Sequence, residues 1–321
     1  MLKLDEKSKF IALALLAELF ITYASVLVKV VDIPPIMLAF YRVTLAMPIF
    51  FILAYKKEDF KRVGLKDFAI MFGAGLLFAL DLIFFNTSLH HTSVGHANVI
   101  GSLLCFVLAP LGAIFFGEKI KKPFIFGSIL SIAGVVLLMQ GRIQDSVATG
   151  FGNFLALMAM IFYSFFLALV FHLRKRYSAL TVMSFSSIGA SVGLLIIGSS
   201  LEGFTYPQNG ITWFYTWLIV LFGQILGQGF FSFIMSKLST QTTSLLLLIT
   251  PVMAAIMGFL FLGEKMGYLE ILAIIIILVG IYFGQQKSHV AKARKKILKR
   301  GRKKIPAHLP LEHPQDVIRP L

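Results

Sequence analysis

The sequence predicts an all-α polytopic membrane protein with ten transmembrane helices in an inverted 5+5 repeat. Three observations lead there. Apolar residues make up 58% of the chain and mean hydropathy is +0.86, against roughly 45–50% apolar residues in a soluble domain. They come in unbroken runs of about twenty, enough helix to cross ~30 Å of hydrocarbon. Such runs lack the alternation of a membrane β-barrel. Finally, the chain repeats itself. Gly117-Glu118-Lys119 recurs as Gly263-Glu264-Lys265, a shift of 146 positions. The same shift brings Ala109 onto Ala255, Gly112 onto Gly258, Phe115 onto Phe261 and Gly134 onto Gly280. A fixed-period repeat over half a chain is read as two copies of one unit.

The apolar runs give ten spans. In order they are 10–30, 36–55, 68–88, 94–116, 124–140, 150–171, 180–201, 211–233, 242–262 and 268–284. The first has no small-residue cleavage pattern after it and is read as a span rather than a signal peptide. The organisation is therefore a short N-terminus (1–9), a first five-helix unit (10–141), a second (150–284) and a basic tail (285–321).

The net charge of +15 suggests nucleic acid only until the charges are located. Of 30 Lys and Arg residues, 26 fall before span 1, in the loops after even-numbered spans, or in the tail. That asymmetry places both termini and those loops in the cytoplasm, as expected of a plasma or bacterial inner membrane protein. Trp213 and Trp217, the two tryptophans, sit at the other membrane surface as interfacial anchors. The run 292–304, rich in Lys and Arg, lies just past span 10 and is suited to anionic lipid headgroups rather than nucleic acid. Four prolines after it point to an extended, poorly ordered end.

Each unit holds an odd number of spans, so equivalent helices point in opposite directions. Span 4 runs inward to Glu118, and span 9 runs outward to Glu264. Inverted repeats of this kind underlie many secondary transporters, because exchanging the conformations of the two halves converts one access state into the other.

Phe40-Tyr41-Arg42 in span 2, the polar run from Ser93, Pro251 in span 9, both Gly-Glu-Lys hinges, and Gly134 and Gly280 together resemble the drug/metabolite transporter superfamily. Within it the likeness is to the EamA type with two tandem repeats, over residues 10–286. The resemblance implies an exporter or exchanger of amino acids, other small metabolites or drugs. It also implies a central cavity lined by spans 1, 3 and 4 and their partners 6, 8 and 9. In the first repeat the position matching Pro251 is Cys105, and the proline stands at Pro110. The kink of span 4 is therefore expected half a helix later than that of span 9.

Ionisable groups inside the membrane come first among candidate site residues, since one costs at least ~2.5–3.5 kcal/mol at mid-helix. Glu18, Arg42 and Asp81 lie deep in spans 1, 2 and 3. The acids read either as proton sites or as partners of Arg42 in a packing salt bridge. Arg42 reads either as that partner or as an anchor for a carboxylate or other anion. Gln224 and Gln228 lie four apart in span 8 and share a helical face, beside Gly223 and Gly227, which admit a close neighbour. Tyr23 and Tyr163 lie on two of the implied cavity helices. Asn98 aligns with Ser244, and His96 with Thr242, so polar groups recur at both equivalent helix starts. Pro110 and Pro251 free the carbonyls of Phe106 and Leu247, which in a membrane must find protein or water. His91 and His96 bracket a turn, a poor geometry for a metal. A lone Cys105 allows neither a disulfide nor a cysteine metal site.

No Gly-x-Gly-Asp, Gly-x-Ser-Gly or His-Glu-x-x-His pattern of an intramembrane enzyme occurs. The sequence therefore points to a secondary transporter of small polar metabolites, working by alternating access, without cofactor or metal and with protons as the candidate coupling ion. A passive facilitator and a lipid scramblase remain as alternatives.

Overall fold

Ten antiparallel spans cross one another in a bundle whose ends are stitched by loop-to-loop contacts. The computed structural model describes residues 6–57, 59–92, 94–140, 150–262 and 267–285. The second Gly-Glu-Lys hinge (263–265) and the basic tail beyond residue 285 lie outside them. Among the described residues regular structure is entirely helical. Eight helical segments are long and apolar enough to cross a membrane, and Lys122–Leu138 and Tyr268–Gly284 are shorter apolar helices.

Six spans are single helices: span 1 is Glu6–Val28, span 2 Pro35–Ala54, span 3 Leu65–His91, span 5 Lys122–Gln140, span 6 Gly150–Leu173 and span 7 Ala179–Leu201. Span 10, Tyr268–Gly284, is a seventh. The other three are broken. Span 4 is Val94–Ser102 followed by Cys105–Phe116, and span 9 is Thr240–Leu247 followed by Thr250–Leu262. Span 8 is Gly210–Leu218, a π-helical Ile219–Gly229 and Phe230–Met235.

The loops sort into two faces. On the basic face, Asp59 accepts the Ser178 N–H, joining loop 2–3 to loop 6–7. Arg174 donates to Ser236 Oγ at 3.0 Å, joining loop 6–7 to loop 8–9. On the opposite face, Glu202 joins loop 7–8 to the start of span 2, and Thr92 donates to Asn153 at 3.1 Å.

The two repeats cap each other. Asp59 lies just past span 2 and caps the start of span 7. Glu202 lies just past span 7 and accepts the Ile36 N–H at 3.1 Å and the Met37 N–H at 2.9 Å, capping the start of span 2. A carboxylate at a helix N-terminus satisfies bare N–H groups and opposes the helix dipole. The same reciprocity holds between spans 5 and 10. A Cβ on Gly134 would meet Ile277 and Ala273, and a Cβ on Gly280 would meet Ser131 and Gly127. Each of the first three residues is the mate, under the repeat shift, of one in the second set. This is the isologous contact of a two-fold axis.

The Gly-Glu-Lys motif acquires a mechanical meaning. Gly117 ends span 4 in the left-handed region, at φ 65°, where only glycine sits without strain. The turn aims Glu118 at span 9, whose Thr240 N–H and hydroxyl it accepts at 3.1 and 2.7 Å. Gln241 adds bonds to Lys119 O and from Lys121 N–H at 3.0 and 3.2 Å. Gly112 is obligatory there, since a Cβ would lie 2.0 Å from Thr240 Oγ1.

Close crossings at glycine knit spans 3 and 7, where Gly189 rests on the Phe72 backbone and Gly75 on Ser186. Among the described residues three apolar cores result. One includes Phe50, Phe78, Phe166 and Phe231, a second, within spans 4, 5, 9 and 10, includes Cys105, Ala109, Leu248 and Ile277, and a third includes Val28, Met37, Leu38 and Ile219. The perimeter exposes Phe126, Ile129, Leu272 and Ile275, as a lipid-facing surface requires.

Candidate functional site: a cavity between the two breaks

Both broken helices fail at the same place in the repeat. In span 4 the Leu103 N–H reaches back to Ile100 O at 3.0 Å, and in span 9 their mates Ile249 and Leu246 make the same bond at 3.0 Å. Span 4 thus breaks without a proline at position 105, and Pro110 lies inside the intact helix Cys105–Phe116. In span 9 Pro251 sits in the first turn of Thr250–Leu262, where the missing N–H costs least.

Between the breaks lies a cavity of about 110 Å³. Two pairs of repeat mates line it: Gly101 with Leu247, and Leu104 with Thr250. Spans 1, 3, 4, 6, 8 and 9 all contribute, as the family resemblance implies, and span 2 adds Arg42. Glu18, Arg42, Asp81, Asn98, Tyr163 and Gln228, all anticipated from sequence, meet here. Apart from Ser25 and Thr250 the rest of the wall is apolar, with Phe78, Phe85 and Met160 prominent.

Arg42 is held by span 8. Its Nε donates to Gln224 Oε1 at 3.2 Å and its Nη2 to Gly223 O at 3.0 Å. A Cβ on Gly223 would come within 3.1 Å of the guanidinium, so glycine makes the slot. Both glutamines lie in the π-helical segment Ile219–Gly229, yet they take different partners. Gln224 turns to Arg42, while Gln228 accepts the Tyr163 hydroxyl at 3.0 Å.

The acids are not consumed by a salt bridge. Among the described residues no ion pair of 4 Å or less links Arg42 to Glu18 or Asp81, although the charges of Arg42 and Asp81 act on each other. Glu18 is 2% exposed. Its Oε2 contacts Thr250 Oγ1 at 3.1 Å, and its Oε1 has no hydrogen-bond partner among the described residues. Gln228 Nε2 is likewise buried and unpartnered. The cavity therefore presents one anchored cation, two carboxyls and an unused amide donor, walled by aromatic and aliphatic groups. That inventory suits a small molecule carrying both a carboxylate and a cationic or polar group.

Four anticipated residues do not line this cavity. Tyr23 packs edge-on against Phe222 at 5.4 Å. Thr242 joins the Ser239 cap at the basic face, and Ser244 donates to Gln241 O at 3.1 Å. Gln224 sits behind Arg42 instead of in the wall. Ser25 and Thr250 also line the cavity, and neither is among the candidates the sequence offers. The adjacency of Thr250 to Pro251 and to the freed Leu247 carbonyl is the signal that could have found it.

The profile of the EamA-like transporter family matches residues 8–140 and again 150–284. The chain belongs to the EamA-like transporter family. It is thus an integral membrane transporter and not an enzyme. The chain is 22% identical over 289 residues to a "Probable amino-acid metabolite efflux pump" of Escherichia coli (strain K12), covering 87% of this chain and 95% of that one. It is 24% identical over 223 residues to "Uncharacterized transporter YdfC" of Bacillus subtilis (strain 168), covering 68% and 72%. A solved crystal structure shares the fold at a TM-score of 0.69 and 15% identity, over 90% of this chain and 97% of that one.

Proposed function

We propose that this EamA-like transporter exports or exchanges small polar metabolites, amino acids foremost, by alternating access of the central cavity. The observation that carries this reading is one anchored arginine facing two carboxyls free of salt bridges, at the midline of an inverted repeat. A zwitterion matches it: Arg42 receives the substrate carboxylate, a carboxyl receives the ammonium, and Phe78, Phe85 and Met160 accommodate an apolar side chain. The name of the Escherichia coli relative supports the same class. Rocking of one repeat against the other would open the cavity first to one face and then to the other.

Coupling is assigned to protons through Glu18 and Asp81, since a buried carboxyl can carry a proton and release it when its surroundings change. The basic face is assigned to the cytoplasm, with the tail beyond residue 285 against anionic headgroups. Reporter fusions at Gly64 and at Gln208 test the orientation: cytoplasmic signal from the first and exterior signal from the second are expected, and matching signals would refute it.

Uptake into proteoliposomes of a panel of labelled amino acids, with and without a pH step, tests the function. Saturable uptake of at least one amino acid that responds to the step is expected. Saturable uptake indifferent to pH would identify a facilitator or exchanger, and lipid flipping without amino-acid uptake would identify a scramblase.

A further inference from the structure

Thr250 holds a single hydroxyl proton between two acceptors. Its Oγ1 lies 2.7 Å from the Leu247 carbonyl and 3.1 Å from Glu18 Oε2. The Leu247 carbonyl needs a donor, because Pro251, four residues on, has no N–H and the segment lies within the membrane. The shorter contact is the one to Leu247. A hydroxyl donates once, so the contact to Glu18 must be bridged by a proton that Glu18 itself supplies.

We infer that Glu18 is protonated in this conformation and donates to Thr250, which in turn donates to Leu247 O. Thr250 is then a positioning residue that ties a proton on span 1 to the break of span 9. The surroundings of Glu18 agree. The hydroxyl of Thr22 is directed at the Glu18 backbone carbonyl, 2.8 Å away, so it does not serve the carboxyl. An ionised Glu18 would leave a buried carboxylate oxygen unpartnered at Oε1. The charged and titratable groups facing it across the cavity are Arg42 of span 2, Asp81 of span 3 and Tyr163 of span 6. Spans 4, 8 and 9 present Asn98, Gln228 and Thr250 there, none of which titrates. Arg42 directs its bonds to Gln224 and Gly223. Once the proton leaves, Thr250 has one proton for two acceptors, and either the break or the carboxylate goes unsatisfied. Spans 1 and 9 belong to opposite repeats, so that loss falls on a contact between the halves. This last link to transport rests on the proposed proton coupling, whereas the bond pattern does not.

The test is infrared spectroscopy of the full-length protein in lipid bilayers as a function of pH, reading the C=O stretch of protonated carboxyls. Wild type is expected to show a band that E18Q lacks. In T250V the protonated form loses its acceptor, so half-protonation of Glu18 requires about tenfold more protons. T250S restores the wild-type titration. A wild-type protein without the band overturns the inference, as does a T250V titration that is unchanged. A shift in the opposite direction also overturns it, because it would mean that Thr250 donates to a carboxylate. If T250V does not fold, the frequency of the wild-type band decides, since a carboxyl that donates a hydrogen bond stretches lower than a free one. Should E18Q transport keep its full response to pH while T250V still moves the band, proton coupling of transport fails and the bond pattern stands.

Discussion

Ser131 Oγ donates to the carbonyl of Ile277 at 3.1 Å, and the two residues stand 146 positions apart, the shift of the repeat itself. A residue can touch its own mate only where the two-fold axis passes between them. The axis therefore runs through the contact of spans 5 and 10. The glycines beside it, Gly134 and Gly280, set how closely the helices approach.

Gly280 is the tighter of the two, since a Cβ there would meet Ser131 Oγ at 2.3 Å and Ser131 N at 2.6 Å. Gly280→Ala should destabilise the protein by about 1–3 kcal/mol through overpacking. Thermal melts in detergent followed by size-exclusion chromatography check this. An unaltered melting temperature would mean that spans 5 and 10 are not held as described.

For Glu18 and Asp81 the expectation concerns coupling. Glu18→Gln or Asp81→Asn should abolish the effect of a pH step on uptake while leaving substrate binding in place. Proteoliposome uptake and a thermal-shift titration with substrate separate the two. If both variants and their combination respond to pH as wild type does, the acids serve structure alone.

Arg42 can be disturbed without being removed. Gly223→Ala places a methyl 3.1 Å from the guanidinium and 2.9 Å from Ala24. It should raise KM for an anionic or zwitterionic substrate about tenfold, the value of one misdirected charge-assisted bond. Expression should stay normal. Unchanged KM, with Arg42→Ala also unchanged, would exclude Arg42 from substrate contact.

Asp59 gives a pH signature outside the membrane. Burial acts to raise its pKa, but the bonds from Ser178 and Thr181 outweigh burial and hold the carboxyl below the ordinary range. Such a group adds stability that is full above its unfolded pKa, about 3.9, and is lost as pH falls through the folded one. The melting temperature of wild type should drop in that acid range by a step that Asp59→Asn lacks. Parallel curves for the two proteins would remove Asp59 from the account.

Much of this architecture is legible in the residues because lipid leaves the chain few options. Runs of apolar residues must be helices, buried charges must face protein, and a repeat with an odd number of spans must invert. On that basis Glu18, Arg42, Asp81, Asn98, Tyr163 and Gln228 converge on the cavity. What escapes is local geometry. A spacing of four groups Gln224 with Gln228, but Gln224 is taken up by Arg42 while Gln228 meets Tyr163. The break of span 4 at 103–104 has no proline to announce it, and follows from symmetry with span 9 instead. Thr242 and Ser244 are polar at a helix start for the ordinary reason, capping and turn bonds, and not because they face the cavity.

The reciprocal caps have one more consequence. A five-helix half, taken alone, owns a carboxylate with no helix to cap and a helix start with no carboxylate. The deficit and the surplus lie on opposite surfaces, so a copy inserted in the same sense cannot supply what is missing. A copy inserted upside down can. The chain is the covalent form of an antiparallel pair, in which neither half is a finished protein.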